Sequence, residues 1–272
     1  MAALESILHE LTLTFTSDPR RLCQFLLYKC QSRGVKIHHP AKAVSVGSDD
    51  RDAISSICIQ NLKTNEQFDI SCTRLLIAAG VWSPQVFKML FPTSKTKIPV
   101  TSLAGHSLIV SSPRWQMHDE ANGCHAIFTT DEQGYSPEVF SRTGGEIYVA
   151  GLNSETIPIP KTAQDAEIDD ESLAALRVTA KRLLGLPKTD DLVEIRKGLC
   201  FRPITRRGTP FLSRIDDKKL GGVRTKGGSE GGVYIAAGHG PWGISLGLGS
   251  GKVMSEMLMG TRPSADVSGL RL

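Results

Sequence analysis

The stretch that most limits what this chain can become is Gly231–Gly260, GGVYIAAGHGPWGISLGLGSGKVMSEMLMG. Val233–Ala237 is an apolar run of strand length. The loop after it carries Gly238, Gly240 and Gly243 around one histidine, His239. Ile244–Met259 then has helical spacing, with Leu246, Val253, Met257 and Leu258 apolar. A strand that passes through glycines into a helix aims backbone N–H groups and a positive helix end at something anionic or electron-rich. The missing side chains let that backbone come close to a flat ligand.

Known phosphate motifs fit this stretch poorly. A phosphate loop needs glycine where Leu246 stands and a hydroxyl where Val253 follows Gly251-Lys252. Gly238-x-Gly240-x-x-Gly243 matches the bare dinucleotide pattern, but no acidic residue follows about 20 residues on at the end of a second strand. Gly249-Ser250-Gly251 is not the G-x-S-x-G of a hydrolase nucleophile.

With 272 residues and 40% hydrophobic content, the chain can bury the core of one large or two small domains. The net charge of +4 and pI of about 8.7 are mild, and Arg206-Arg207 and Lys218-Lys219 are the conspicuous basic pairs. A nucleic-acid surface calls for a basic stripe, so no nucleic-acid partner is expected. The longest apolar run, Leu75–Trp82, falls short of the roughly 18 residues of a membrane span. MAALESILHELTLTF carries Glu5 and Glu10 and no basic n-region, which makes a poor signal peptide. Cys23, Cys30, Cys58, Cys72, Cys124 and Cys200 form no C-x-x-C pair and lie mostly in apolar runs. They read as reduced core thiols of a cytoplasmic protein. No metal-ligand spacing links them to the histidines, so no metal is expected.

Along the chain, Asp18-Pro19 starts a helix that carries Leu22, Phe25, Leu26 and Lys29 and ends at Gly34. Strands follow at Val35–His38 and Ala43–Val46, then a turn at Asp49-Asp50. Ile54–Gln60 pairs with Gln67–Ser71 as a hairpin. Arg74–Ala79 reads as a buried strand ending at Gly80, and Ser83-Pro84 opens a helix to Leu90. Leu103–Val110, Cys124–Thr129, Val139–Ser141 and Glu146–Gly151 are short strands split by turns, which predicts an antiparallel sheet. A helix capped by Asp169 or Asp170 places Leu173, Leu176, Ala180 and Leu183 on one face and ends near Gly185 and Pro187.

Ala236-Ala237-Gly238-His239-Gly240-Pro241-Trp242-Gly243-Ile244-Ser245, followed by a glycine-rich helix, resembles the C-terminal flavin-binding segment of D-amino-acid-oxidase-like FAD-dependent oxidoreductases, the fungal members above all. Gly34-Val35, Val44 and Ala78-Ala79-Gly80-Val81-Trp82-Ser83 fit the same family in order. So does Val193–Pro210, where Arg202-Pro203-Ile204-Thr205 and Gly208-Thr209-Pro210 match and Arg206-Arg207 replace the usual Pro-Asp. The resemblance implies an α/β (α+β) fold. It implies a partial FAD-binding domain of the glutathione-reductase-like type over 1–97, an antiparallel-sheet substrate domain over 98–190, and a return to the FAD-binding domain over 191–272.

It further implies FAD as cofactor, with Val44 near the adenine and Gly80, Trp82, Gly238, His239, Gly240, Trp242, Gly243 and Ile244 around the flavin. A bulky residue in place of Gly240 should abolish flavin binding. Arg202 either clamps a substrate carboxylate, as a planar guanidinium does well, or pairs structurally with a carboxylate or the flavin carbonyls. Arg206-Arg207 reads as a solvated loop pair. Cys200 stands where sarcosine-oxidase-like relatives attach flavin, but without supporting residues it reads as buried and unreactive. His239 orients the flavin, senses its charge or faces solvent, and is not a general base.

The implied reaction oxidises a C–N bond of a small-molecule amino acid or secondary amine by hydride transfer to flavin N5. Family members begin with a βαβ unit bearing G-x-G-x-x-G, whereas residues 1–35 hold no glycine before Gly34. A fragment of a longer enzyme and a non-catalytic scaffold with a trafficking or regulatory role both follow from that. A separate NAD or nucleotide module lacks its acidic ribose partner.

Overall fold

A computed structural model describes residues 19–272 apart from 117, 124, 131–134, 187, 188 and 190. The chain forms two compact units. One, the parallel-strand unit, comprises Cys30–Ser102 and Arg202–Leu272; the other, the sheet unit, comprises Leu103–Phe201 with the residues up to Lys29.

The parallel-strand unit begins in the last turn of helix α1, Pro19–Gln31, none of whose residues is buried. Asp18, the expected cap, lies outside the described residues. The strand expected at Val35–His38 does not form. Val35 and Ile37 are exposed there, and with no strand among the described residues to accept and donate hydrogen bonds a β segment has no ladder to join. Strands β1 (Ala41–Ser48), β2 (Ile54–Asn61) and β3 (Gln67–Ser71) make an antiparallel sheet in that order. The turn between β1 and β2 closes because Asp49 Oδ1 accepts from the N–H groups of Arg51 and Ala53, both at 3.0 Å. Val44 sits at a break in the β1–β2 register, between Ala43 and Ser45.

A second sheet supplies the centre of this unit. Strand β4 (Arg74–Ile77) lies parallel to β12 (Gly232–Ala237), which lies antiparallel to β11 (Phe211–Ile215). Alternation along β12 seals both faces. Val233, Ile235 and Ala237 join Ile77, Phe211 and Ile215 in one core with Phe87, Leu90 and Phe91, the first two from helix α2 (Ser83–Leu90). Tyr234 turns the other way and meets Leu212 and Met254. Met254 belongs to the helix after β12, Gly243–Leu258. Coverage on both faces is what parallel pairing requires. The expectation of a buried strand over Arg74–Ala79 is corrected here: β4 stops at Ile77, and Leu76 is 36% exposed because no strand among the described residues pairs with its outer edge.

The sheet unit is built on strands β5 (Thr101–Ser111), β6 (Ala126–Phe128), β7 (Glu138–Arg142), β8 (Glu146–Ala150), β9 (Asn153–Ser154) and β10 (Val193–Ile204). They lie in the order β10-β5-β8-β7-β6, with β9 on β5, and the β5–β8, β7–β8 and β6–β7 pairs are antiparallel. Helix α3 (Asp170–Leu184) covers one face and buries Leu173, Leu176, Thr179 and Ala180. Leu173, Leu176 and Ala180 pack with Leu108, Val110, Val139, Ile147 and Val149 of the sheet. Thr179, rather than the expected Leu183, completes the buried stripe; Leu183 lies in the last turn and is 38% exposed. Fully burying a leucine stabilises a fold by about 1.5–3 kcal/mol, so Leu173 and Leu176, both fully covered, dominate this contact.

The thiols depart from expectation. Cys23, Cys30, Cys58, Cys72 and Cys200 are free, but three are exposed and two half-buried. Apolar neighbours in sequence do not bury a cysteine when the strand or helix that holds it presents it outward. Cys124 lies outside the described residues.

One buried histidine ties α3 to the sheet. His106 of β5 is 2% exposed, and its Nε2 accepts from the backbone N–H of Asp169, the cap of α3, at 3.1 Å. Burial lowers its pKa below 6.5, with the nearby Asp169 carboxylate partly opposing. A depressed imidazole pKa gives stability that is complete above the unfolded value and is lost as pH falls through the folded one. Stability should therefore fall as pH drops below 6.5. His106→Gln keeps an acceptor and cannot be protonated. Denaturant unfolding against pH should show a shallower acid loss in that variant than in the parent; equal slopes would reject the coupling.

Candidate functional site

The candidate site is at the carboxyl ends of β4 and β12. The two strands run in register, with Ile77 opposite Ile235. Each then passes through two alanines to a glycine held in the left-handed region, Gly80 at φ +55° and Gly238 at φ +91°. Each continues through a 3-10 turn, Gly80–Trp82 or Gly240–Trp242, into a helix. The second of these helices, Gly243–Leu258, is α4. Tryptophan precedes both helices, as Trp82 and Trp242, and neither side chain caps the helix it introduces. Two helix starts with uncapped N–H groups thus follow neighbouring strands, the arrangement that attracts negative charge in open α/β sheets.

The glycines have different jobs. A Cβ on Gly238 would meet Thr205 Cγ2 at 2.5 Å, and the residue is buried, so this glycine serves packing. A Cβ on Gly80 or Gly243 would meet nothing within 4 Å, and one on Gly240 only Ile204 Cγ2 at 3.9 Å. Trp242 is 61% exposed beside them. Gly240 and Gly243, with open space above the backbone and the exposed indole of Trp242 in the same turn, leave a cradle that an added Cβ would fill, so the residues present fit the isoalloxazine end of FAD; Gly80 leaves the same open space in the turn after the neighbouring strand.

The other expected residues divide. Ile244 is half-buried in the first turn of α4, and Trp82 is half-buried at the start of α2. Arg202 lies near the end of β10, whose last residue, Ile204, and the following Thr205 abut Gly240 and Gly238. The strand therefore delivers the Arg202 segment to the turn. Val44 lies on β1, which packs against α2, and is not among the atoms nearest the glycine turns. His239 is half-buried, its Nε2 is 2.9 Å from Ser250 Oγ, and burial lowers its pKa below 6.5.

One expectation around this segment is corrected and one refined. Arg207 is an exposed turn residue, as expected, but it is tethered there. Its guanidinium stacks on Phe211 at 3.9 Å from the ring centroid and donates to the carbonyls of Thr209, Pro210 and Arg271. That binds the end of the chain to the start of β11. Cys200 is exposed rather than buried, with Sγ 3.6 Å from the Gly105 carbonyl. Sequence reasoning also missed Ile204, Thr205 and Ser250 as contributors to the turn. Their roles depend on what lies opposite them in the fold, and no local pattern carries that.

The family model for FAD dependent oxidoreductases of the DAO type matches residues 9–257, and the chain belongs to that family. The provisionally named oxidoreductase C1F5.03c of Schizosaccharomyces pombe is 30% identical over 207 residues, covering 73% of this chain and 45% of the relative. A D-amino acid dehydrogenase of Vibrio atlanticus is 23% identical over 252 residues, covering 90% and 49%. The chain thus spans about half the length of these curated relatives. Among solved structures, an L-amino acid deaminase from Proteus myxofaciens matches with a TM-score of 0.64 at 14% identity, covering 91% of this chain and 58% of that one. Glycine oxidase from Geobacillus kaustophilus matches with a TM-score of 0.60 at 15% identity, covering 85% and 51%. These likenesses show the expected fold, helices and sheets of an FAD-dependent oxidoreductase.

The two classes of glycine separate experimentally. Gly238→Ala combines a left-handed backbone with a 2.5 Å approach to Thr205 and should cost roughly 2–3 kcal/mol of stability. Gly80→Ala, with open space, should cost about 1–2 kcal/mol. Thermal or denaturant unfolding checks the ranking, and a Gly238→Ala protein as stable as Gly80→Ala would contradict the packing assigned to Thr205.

Proposed function

We propose that this chain forms the isoalloxazine-facing part of an FAD-dependent oxidoreductase that oxidises the C–N bond of an amino acid or secondary amine. The observation that carries the reading is the pair of left-handed glycine turns at the ends of β4 and β12, each opening into an uncapped helix. Family membership and the amino-acid substrates named for its relatives agree with it. When bound, FAD would supply the two-electron acceptor for oxidation of the substrate C–N single bond to an imine, the nitrogen proton passing to solvent.

The chain's own residues do the rest. Gly80, Gly240 and Gly243 let backbone reach the ring, and Trp242 offers an apolar face beside it. The first-turn N–H groups of α4 give this turn a positive potential, which would favour the negative charge of a reduced flavin. Arg202 is the candidate clamp for a substrate carboxylate, by two parallel charge-assisted hydrogen bonds. His239, neutral at pH 7 through burial, carries no proton in this scheme.

Gly243→Ala provides a sharp test. Its backbone is right-handed (φ −56°) and open, so alanine fits without strain and should leave stability equal or higher. The added methyl occupies the cradle, so the variant should lose FAD. After incubation with FAD and gel filtration, the parent should retain the visible flavin absorbance, which amino acids or amines then bleach. A colourless parent, or a Gly243→Ala protein that holds FAD as well as the parent, would contradict the proposal.

A further inference from the structure

The turn between β12 and α4 contains one ionisable side chain, His239, and the reaction scheme gives it no proton to move. Its backbone is right-handed, φ −71° and ψ −10°, between glycines at φ +91° and +57°. Alternating hands of this kind turn successive N–H groups to one side. Glycine has the most conformational freedom to lose on ordering, so a turn built this way needs something outside it to fix its angle.

The helix it leads into is also lightly held at first. Gly247, Gly249 and Gly251 each weaken a helix by about 1 kcal/mol relative to alanine. Leu246 and Leu248 are 43% and 44% exposed, and burial begins only at Val253. One side-chain bond joins the two loose pieces: His239 Nε2 to Ser250 Oγ, 2.9 Å, across 11 residues. Both residues are half-buried, so water competes less for the bond than at an exposed pair.

We infer that the His239–Ser250 bond is a latch that fixes the glycine turn against the first half of α4. His239 is then a positioning residue that acts through Ser250, and Ser250 shapes the ligand-facing backbone without touching the ligand. The part of this that concerns flavin rests on the function proposed above; the latch itself does not. The sister turn after β4 has a single left-handed glycine, and Val81, 1% exposed, pins it to the core.

Amide hydrogen exchange on the full chain tests the latch. Ser250→Ala should speed exchange over Gly238–Ile244 by about five- to tenfold, the worth of one neutral hydrogen bond. Ser250→Thr keeps the hydroxyl and should restore the parental rate. Amides Gly80–Ser83 serve as the control and should not change. Parental exchange in Ser250→Ala, or a threonine variant as fast as the alanine one, overturns the latch. FAD affinity measured on the same proteins should fall by the same factor in Ser250→Ala and recover in Ser250→Thr. Faster exchange with unchanged FAD affinity overturns the positioning role. A parent that takes up no FAD defeats the proposed function, while the exchange result still decides whether the latch exists.

Discussion

The parallel pairing of β4 with β12 is the constraint on which the functional reading depends. Two parallel strands in register leave their carboxyl ends side by side, and here both leave through the same device: two alanines, a left-handed glycine, a 3-10 turn, a tryptophan and a helix. Parallel pairing survives only when both faces are covered. Val233 and Ile235 fill one core with Phe87 and Phe91, while Tyr234 meets Met254 on the other side. The packing that holds the strands is therefore the packing that holds the two turns at one level. Without it the glycines would be flexible linkers.

Around that pair, side chains from distant parts of the sequence set the site. Thr205 packs on Gly238, Ile204 lies over Gly240, and both belong to the segment that carries Arg202. Arg207 gathers the carbonyls before β11 and the Arg271 carbonyl near the end of the chain; Lys219 binds the Leu272 carbonyl, and Ser213 Oγ accepts from the Leu272 N–H. The result is a rigid frame behind the turn and a lightly held surface in front of it, where Trp242 and the first half of α4 are exposed.

Much of the fold was legible because its signals are local. The Ile54–Gln60 hairpin, the capped helix from Asp169, the strand before Gly238 and the helix after it all follow from period, capping and turn chemistry. What misled was environment. Val35–His38 has strand composition but no partner, so it forms no ladder. Arg74–Ala79 reads as buried because its residues are apolar, yet β4 is an edge. Cys23, Cys30 and Cys200 are still exposed, whatever their neighbours in sequence. In the site, the glycines were legible but their division of labour was not. Only the position of Thr205 separates a packing glycine such as Gly238 from an open one such as Gly243. The Ser250 contact to His239 lies 11 residues away in sequence and carries no motif.

The most direct test of the central claim is photolabelling with an azido-FAD, followed by peptide mapping of the full chain. The account predicts label on the peptides that hold Ala78–Ser83 and Gly238–Ile244, suppressed by excess FAD. Label confined to other peptides, or label that FAD does not displace, would show that the carboxyl ends of β4 and β12 are not a flavin site.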